Sequence, residues 1–324
     1  MTDSTSPIGI ALLGGGLWAR EEHAPAIEAA SQCISLKAVY SRSAASARSI
    51  IENFAHPVDL YSEDSDNGFE DLLKRPDIEA VPVAENVEAA KELIQWYRTE
   101  IKGPTWTIAE NWRFLKSYEF AVEKIKSLGK IIGFQGRQHG MISQNWKFNL
   151  TEWRRNPTHQ GGYLLDGGVH YMAGLRLLLG AEPGKEIASL SALTNQTQPY
   201  LPPVDTADVI MRTTSGVTGV FQISRGTSLL TDELAIACSN GWIKLENETV
   251  TISRDGKVEV VTVPNERTGV LPEIRVWGSS IIEGKARPEQ EPEAALADLE
   301  LIELILKSGS RGGTPVICEH QNDV

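Results

Sequence analysis

Residues 8–19 read IGIALLGGGLWA, from Ile8 to Ala19, and they decide how the first part of the chain folds. Ile8 to Leu13 is a short apolar run rich in β-formers, Gly14-Gly15-Gly16 stops it, and a helix-compatible segment runs from Ala19 through Ala30. This is strand, tight turn, helix. Gly14, Gly16 and Ala19 match G-x-G-x-x-A. The glycines let the backbone turn sharply and approach a pyrophosphate, and the small Ala19 lets helix and strand pack closely. Leu17 and Trp18, inside the motif, join them as candidate cofactor contacts. Arg20 follows, placed either to touch phosphate or to open the exposed face of the helix.

Ile34 to Tyr40 reads as the second strand, and its end is where a ribose-reading residue belongs. A carboxylate there would accept a hydrogen bond from the 2′-hydroxyl of NAD. This chain has Ser41-Arg42-Ser43 instead, a hydroxyl beside a guanidinium, which suits a 2′-phosphate and favours NADP(H) over NAD(H). The alternative is a solvent-exposed turn arginine.

The alternation continues through helix Ala44 to Phe54, strand Val58 to Tyr61 and helix Gly68 to Lys74, and then falters. Ile78 to Val81 opens a further strand, yet Pro82 follows at once and Glu85 to Thr99 is already a long amphipathic helix. A strand and crossover that a complete doubly wound domain needs, about a dozen residues or more, are absent at this point. Thr105 to Ala109 resumes the pattern as a strand, ending in Glu110-Asn111-Trp112-Arg113-Phe114, and a helix runs from about Ser117 to Leu128. Eight segments then read as strands: Ile131 to His139, Ile187 to Gln196, Ala207 to Arg212, Thr218 to Arg225, Glu233 to Cys238, Trp242 to Leu245, Thr249 to Ser253 and Lys257 to Val263. Their short turns argue for a mostly antiparallel sheet in a second domain, closed by a helix from Glu293 to Ser308.

One helix interrupts that sheet. Gly161 to Gly180 reads GGYLLDGGVHYMAGLRLLLG, with apolar residues at helical spacing, and predicts a buried helix starting near Asp166 or Gly167. Asp166 and His170 stand one turn apart, a spacing that brings a carboxylate within reach of an imidazole and suits proton transfer near neutral pH. A capping Asp and a core-packed His leave the same pattern. Tyr163 and Tyr171 either donate to a substrate oxygen or pack as aromatics, and His159 lies in reach of the same entry or on a surface loop.

Composition bounds the rest. The 324 residues leave room for two domains, and 41% hydrophobic with 23% charged residues is the balance of a soluble globular protein. A net charge of −12 repels nucleic-acid backbones and anionic membranes, so neither is an expected partner. Cys33, Cys238 and Cys318 are odd in number with no CxxC spacing, which fits a reducing cytoplasm. The six histidines never fall at i+3 or i+4 from one another, so no metal site is expected. Met1 to Pro7 is polar and is read as neither signal peptide nor membrane span.

The G-x-G-x-x-A half, the AENWRF segment and W-R-x-x-P-x-H-x-G-G-Y-L-L-D-G-G-V-H (Trp153 to His170) together resemble the Gfo/Idh/MocA oxidoreductase family, over nearly the whole chain and most closely its fungal NADP-dependent members. The resemblance implies a Rossmann-type NADP-binding domain over residues 1–115. It also implies an open-sheet substrate and oligomerisation domain over 116–324, with a return of the last residues to the first domain left open. Hydride would pass to or from a carbonyl or hydroxyl carbon of a sugar, polyol, aldehyde or ketone. The counterpart of His170 acts as acid or base on the reacting oxygen, and that of Asp166 helps fix substrate and imidazole. Trp153 and Arg154 would lie near cofactor or substrate, Asn111 would face the site, and the open sheet would form a homodimer or larger assembly.

One departure stands out. The family has Glu-Lys-Pro just after the fifth strand, and here Ala80-Val81 stand before Pro82. The missing lysine and the missing strand unit read as one deletion, about 25 residues for a strand, helix and strand of ordinary length. Three readings follow: an NADP(H)-dependent oxidoreductase, a catalytically impaired NADP-binding sensor or scaffold, and an incomplete reading of the gene of a full enzyme.

Overall fold

The computed structural model describes residues 7–52, 54, 56–75, 87–100, 106–157, 162–284 and 287–321. In chain order its elements are β1 (Ile8–Leu13), α1 (Ala24–Ala29), β2 (Ile34–Ser41), α2 (Ala44–Ile51), β3 (Asp59–Ser62), α3 (Phe69–Leu73), α4 (Val87–Glu100), α5 (Lys116–Lys126) and β4 (Ile131–His139). There follow α6 (Glu152–Arg155), α7 (Gly162–Leu179), β5 (Ile187–Asn195), β6 (Thr206–Thr213), β7 (Thr218–Ser224), β8 (Thr231–Cys238), β9 (Gly241–Glu246), β10 (Thr249–Arg254), β11 (Lys257–Thr262), α8 (Val270–Glu283), α9 (Pro292–Ser310) and β12 (Val316–Ile317). The chain divides into two compact units, one of Met1–Val83, Gln95–Asn111 and Glu266–Pro292, the other of Ala84–Ile94, Trp112–Asn265 and Glu293–Val324.

The first unit holds a parallel sheet in the order β1-β2-β3. Ile10, Ile34, Leu36 and Val39 of its strands are sealed under Ile27 of α1, Ile50 of α2, and Val270 and Ile274 of α8. Gly278 lets α8 approach closely, since a Cβ there would stand 2.9 Å from that of Cys33. Gly284, at φ 64°, ends that helix in the left-handed conformation glycine adopts without strain. The strand expected at 78–81 lies outside the described residues. The one expected at 105–109 is corrected, because residues 106–109 pair with no strand. Their backbone groups go elsewhere: Trp106 N–H to the Tyr97 hydroxyl, Ile108 N–H to the Gln290 carbonyl.

The second unit is built on nine strands in the order β11-β10-β9-β8-β4-β7-β6-β5-β12. Every pair is antiparallel except β4 with β7 at the centre. Alternation assigns the two faces: along β6, Ala207, Val209 and Met211 are buried, while Asp208, Ile210 and Arg212 are exposed. α5, α7 and α9 cover the buried face, contributing Ile125, Leu164, Met172, Leu175, Leu178, Leu301 and Ile305 to one core.

α7 begins four residues before the expected start at Asp166. Gly162 makes the entry at φ 46°, where a Cβ would stand 2.2 Å from the Pro202 carbonyl oxygen. Gly168 belongs inside the helix, because a side chain there would collide with Ile302 of α9 at 2.8 Å. The glycines that looked like a helix boundary are therefore one entry and one close approach.

Candidate active site

The turn after β1 is shaped by three glycines of unlike roles. Gly14 sits at φ 111° and its N–H donates to the Tyr40 carbonyl at 2.8 Å. No atom lies within 4 Å of where a Cβ on Gly14 or Gly16 would stand, so both leave the approach to the backbone open. Gly15 is the packed one: a Cβ there would meet Ser41 Oγ and Ser46 Cβ, each at 2.6 Å. The motif counts Gly15 as a variable position and misses this. Beyond the turn the chain makes a five-residue π-helical coil, Ala19–His23, before α1. Leu17 and Ala19 are half-buried and Trp18 is 39% exposed.

At the end of β2 the two candidate ribose readers separate. Ser41 is 7% exposed, pressed beneath Gly15, so its hydroxyl supports the turn. Arg42 is exposed and bonds to no described residue. α2 starts beside it, with the Ser43 hydroxyl accepting from Ser46 N–H and Asp64 from Ala44 N–H at 2.7 Å. Arg20 pairs with Glu21 at 3.7 Å. Asn111 is buried, and its side-chain amide donates to the Thr268 carbonyl, which commits at least one of its donors to holding the chain.

In the second unit the polar end of α7 carries the other cluster. Arg154, on α6, forks onto Asp166, with Nε 2.8 Å from Oδ2 and Nη2 3.3 Å from Oδ1. The direct Asp166 to His170 contact expected from their spacing is corrected: the carboxylate is taken by the guanidinium. The imidazole of His170 lies instead parallel to the Trp112 indole, ring centres 6.1 Å apart at 15°. Trp112 in turn meets the edge of Tyr171 at 4.8 Å. Spacing along the helix brings positions 166 and 170 to one face, but which partner wins depends on α6, twelve residues upstream.

Around this pair stand Tyr163, Arg225, Gln138 and Asp232. Tyr163 is buried, and burial, with Asp166 nearby, pushes its hydroxyl well above the usual phenol range, so it remains an O–H donor. Asp232 accepts from Gln138 Nε2 at 2.6 Å, and burial raises its carboxyl above the ordinary value. The Trp153 side chain and His159 lie outside the described part. Among the described residues no three His, Cys, Asp or Glu side chains are grouped to hold a metal ion, and no helix is long and apolar enough to cross a membrane.

Comparison with known proteins supplies the class. Residues 124–244 match the GFO/IDH/MocA C-terminal domain. The chain is 35% identical to Dehydrogenase FPY6 of Fusarium mangiferae, over 346 positions that take in 95% of this chain and 98% of that protein. It belongs to the Gfo/Idh/MocA oxidoreductase family. Since 346 alignment positions exceed the 324 residues present, at least 22 of them face no residue of this chain. An oxidoreductase from Thermotoga maritima superposes with a TM-score of 0.84 at 25% identity, covering 96% of this chain and 98% of that one. Two more distant structures share the fold. One is KijD10, a 3-ketoreductase from Actinomadura kijaniata crystallised with NADP and TDP-benzene (TM-score 0.74, 18% identity, 93% and 98% covered). The other is an oxidoreductase from Agrobacterium radiobacter crystallised with NAD+ and L-tartaric acid (TM-score 0.75, 16% identity, 97% and 99% covered).

Proposed function

We propose that this protein is an NADP(H)-dependent oxidoreductase that interconverts a carbonyl and a hydroxyl group on a small metabolite. The observation that carries the cofactor assignment is the turn at 14–16: two glycines open to solvent, a third demanded by packing, and one strand away the exposed Arg42, which bonds to no described residue. Gly14, Gly16, Leu17, Trp18 and Ala19 would hold the pyrophosphate end, and Arg42 the 2′-phosphate. When bound, the nicotinamide supplies or accepts the hydride. Ser41, which supports the turn, steadies the backbone.

His170 gives a proton to the substrate oxygen in reduction and takes it back in oxidation. Trp112 keeps the imidazole plane fixed, and Arg154 holds the Asp166 carboxylate a helical turn before it. Asn111, Trp153 and Arg154 remain proposed members of the site. Ile210 and Val220 face each other across β6 and β7 at 62% and 45% exposure, and with Trp242 they supply an apolar open face for a second copy of the chain.

The test is a titration with NADPH and NADH followed by turnover on a broad carbonyl panel. Tighter NADPH binding and turnover support the reading; folded protein that does neither ends it. A second reading, an NADP-binding sensor without catalysis, is favoured by the missing Glu-Lys-Pro at Ala80-Val81-Pro82. Nucleotide binding without turnover, together with a partner captured only when nucleotide is present, selects it. Transcript sequence across Ala80 to Val83 decides whether the segment, and with it the lysine, is restored.

A further inference from the structure

Arg225 follows β7 on the side of the sheet that α7 covers, with its guanidinium carbon 4.8 Å above the Tyr171 ring. It is half-buried, and its side chain bonds to no carbonyl or carboxylate among the described residues. The carboxylate in electrostatic reach, Asp232, is turned to Gln138. Burial works against the charge on Arg225, and Asp232 only partly offsets it. The backbone of Gly140 passes along one flank, where a Cβ would stand 3.6 Å from Arg225 Nη1. A guanidinium offers five donors in a rigid fork that matches a carboxylate or phosphate with two parallel hydrogen bonds. Other arginines built into this unit have such a partner: Arg154 has Asp166, and Arg113 and Arg176 share Asp298. Arg225 has an aromatic platform and a fork that meets no acceptor among the described residues.

The platform ties it to the proposed proton donor. Tyr171 touches Trp112, and Trp112 stacks on His170, so the guanidinium lies one ring from the turn of α7 that carries the imidazole. Tyr163, within electrostatic reach of Arg225, has a hydroxyl that bonds to no described residue. We propose that Arg225, with the Tyr163 hydroxyl, anchors an anionic group of the substrate, a carboxylate or a phosphate, so that the carbonyl compound turned over here is charged and not a neutral sugar or ketone. This rests on the oxidoreductase reading and narrows its substrate class.

Matched carbonyl pairs test it in the whole protein with NADPH: pyruvate against acetone, 2-oxobutyrate against butanone, glyceraldehyde 3-phosphate against glyceraldehyde. The charged member of at least one pair is turned over with a kcat/KM at least about 30-fold higher, the low end of what an unpaired partner of a desolvated charge costs. Arg225→Met removes that difference through KM and leaves the neutral member within threefold. Arg225→Lys keeps the charge but not the fork and restores part of the preference, which also covers the case in which the Met variant does not fold. The acid and phosphate pairs separate the two anion types. Equal turnover of charged and neutral members, or equal loss of both in Arg225→Met, overturns the proposal.

If no carbonyl is turned over, the oxidoreductase reading fails by itself, and binding decides the anion site. Saturable quenching of tryptophan fluorescence by oxamate or inorganic phosphate in the wild type, absent in Arg225→Met and weaker in Arg225→Lys, supports it. No saturable quenching, or quenching unchanged in both variants, overturns it.

Discussion

The two ends of α7 carry the same chemistry put to different uses. At its C-terminal end Arg176, with Arg113, grips Asp298 of α9, and all three side chains are at most 4% exposed. At its N-terminal end Arg154 grips Asp166 with 15% and 25% of the side chains exposed. A sealed pair holds helices together because removing one partner strands a charge in a place water cannot reach. A half-open pair leaves room for a ligand atom beside it, and costs little to alter. Burial, more than residue type, separates scaffold from site.

Four changes break or sharpen that contrast. His170→Ala, at the open end, lowers kcat by about 10²–10⁴, the usual loss on removing a general acid or base, while NADPH affinity measured by fluorescence holds. Asp298→Ala, at the sealed end, lowers stability by about 3–5 kcal/mol in urea unfolding, because Arg113 and Arg176 lose their shared partner. Arg42→Ala, in the other unit, cuts NADPH affinity by about 10- to 100-fold, in line with a lost hydrogen bond to a charged group, and leaves NADH affinity alone. Asp166→Ala changes stability by less than about 1 kcal/mol while lowering kcat/KM, and a loss as large as that at Asp298 would erase the distinction drawn here.

The smallest effect concerns pH. Burial holds the imidazole of His23, in the coil after the glycine turn, below its ordinary 6.5. A lowered histidine pKa means that the unfolded chain takes up the proton first, so this contribution to stability is complete above pH 6.5 and is lost as pH falls through and below it. Melting temperature therefore drops between pH 7 and pH 5, and His23→Gln flattens part of the drop. An identical slope in that variant would assign the effect to His139, whose pKa burial lowers as well.

Much of this architecture is readable in one dimension. β1 and β4 fall where the residue pattern places them, because β-formers bounded by glycine, or alternating with polar residues, have few other ways to bury themselves. α8 went unread: Val270 to Glu283 carries no sharp signal of which unit it serves, and its Val270 and Ile274 share a core with Ile10, Ile27 and Ile34, far away in sequence. Asp166 and His170 were legible as residue types, and their partners were not. Arg154 and Trp112 reach them through turns whose geometry the pattern does not specify. Arg225 drew no notice at all, since an arginine at a strand end is ordinary until its surroundings are seen.

The amino-acid order by itself determined the parallel start, the glycine turn, the large antiparallel sheet and the family, because backbone conformation and the burial of alternating apolar residues are set by near neighbours. Tertiary packing alone decided that Gly15 is the glycine of the first turn with no room for a side chain, that Asp166 answers to Arg154, and that the fork of Arg225 meets no acceptor among the described residues. Those outcomes hang on which side chains meet across distant elements, where a shift of an ångström or two makes or breaks a hydrogen bond.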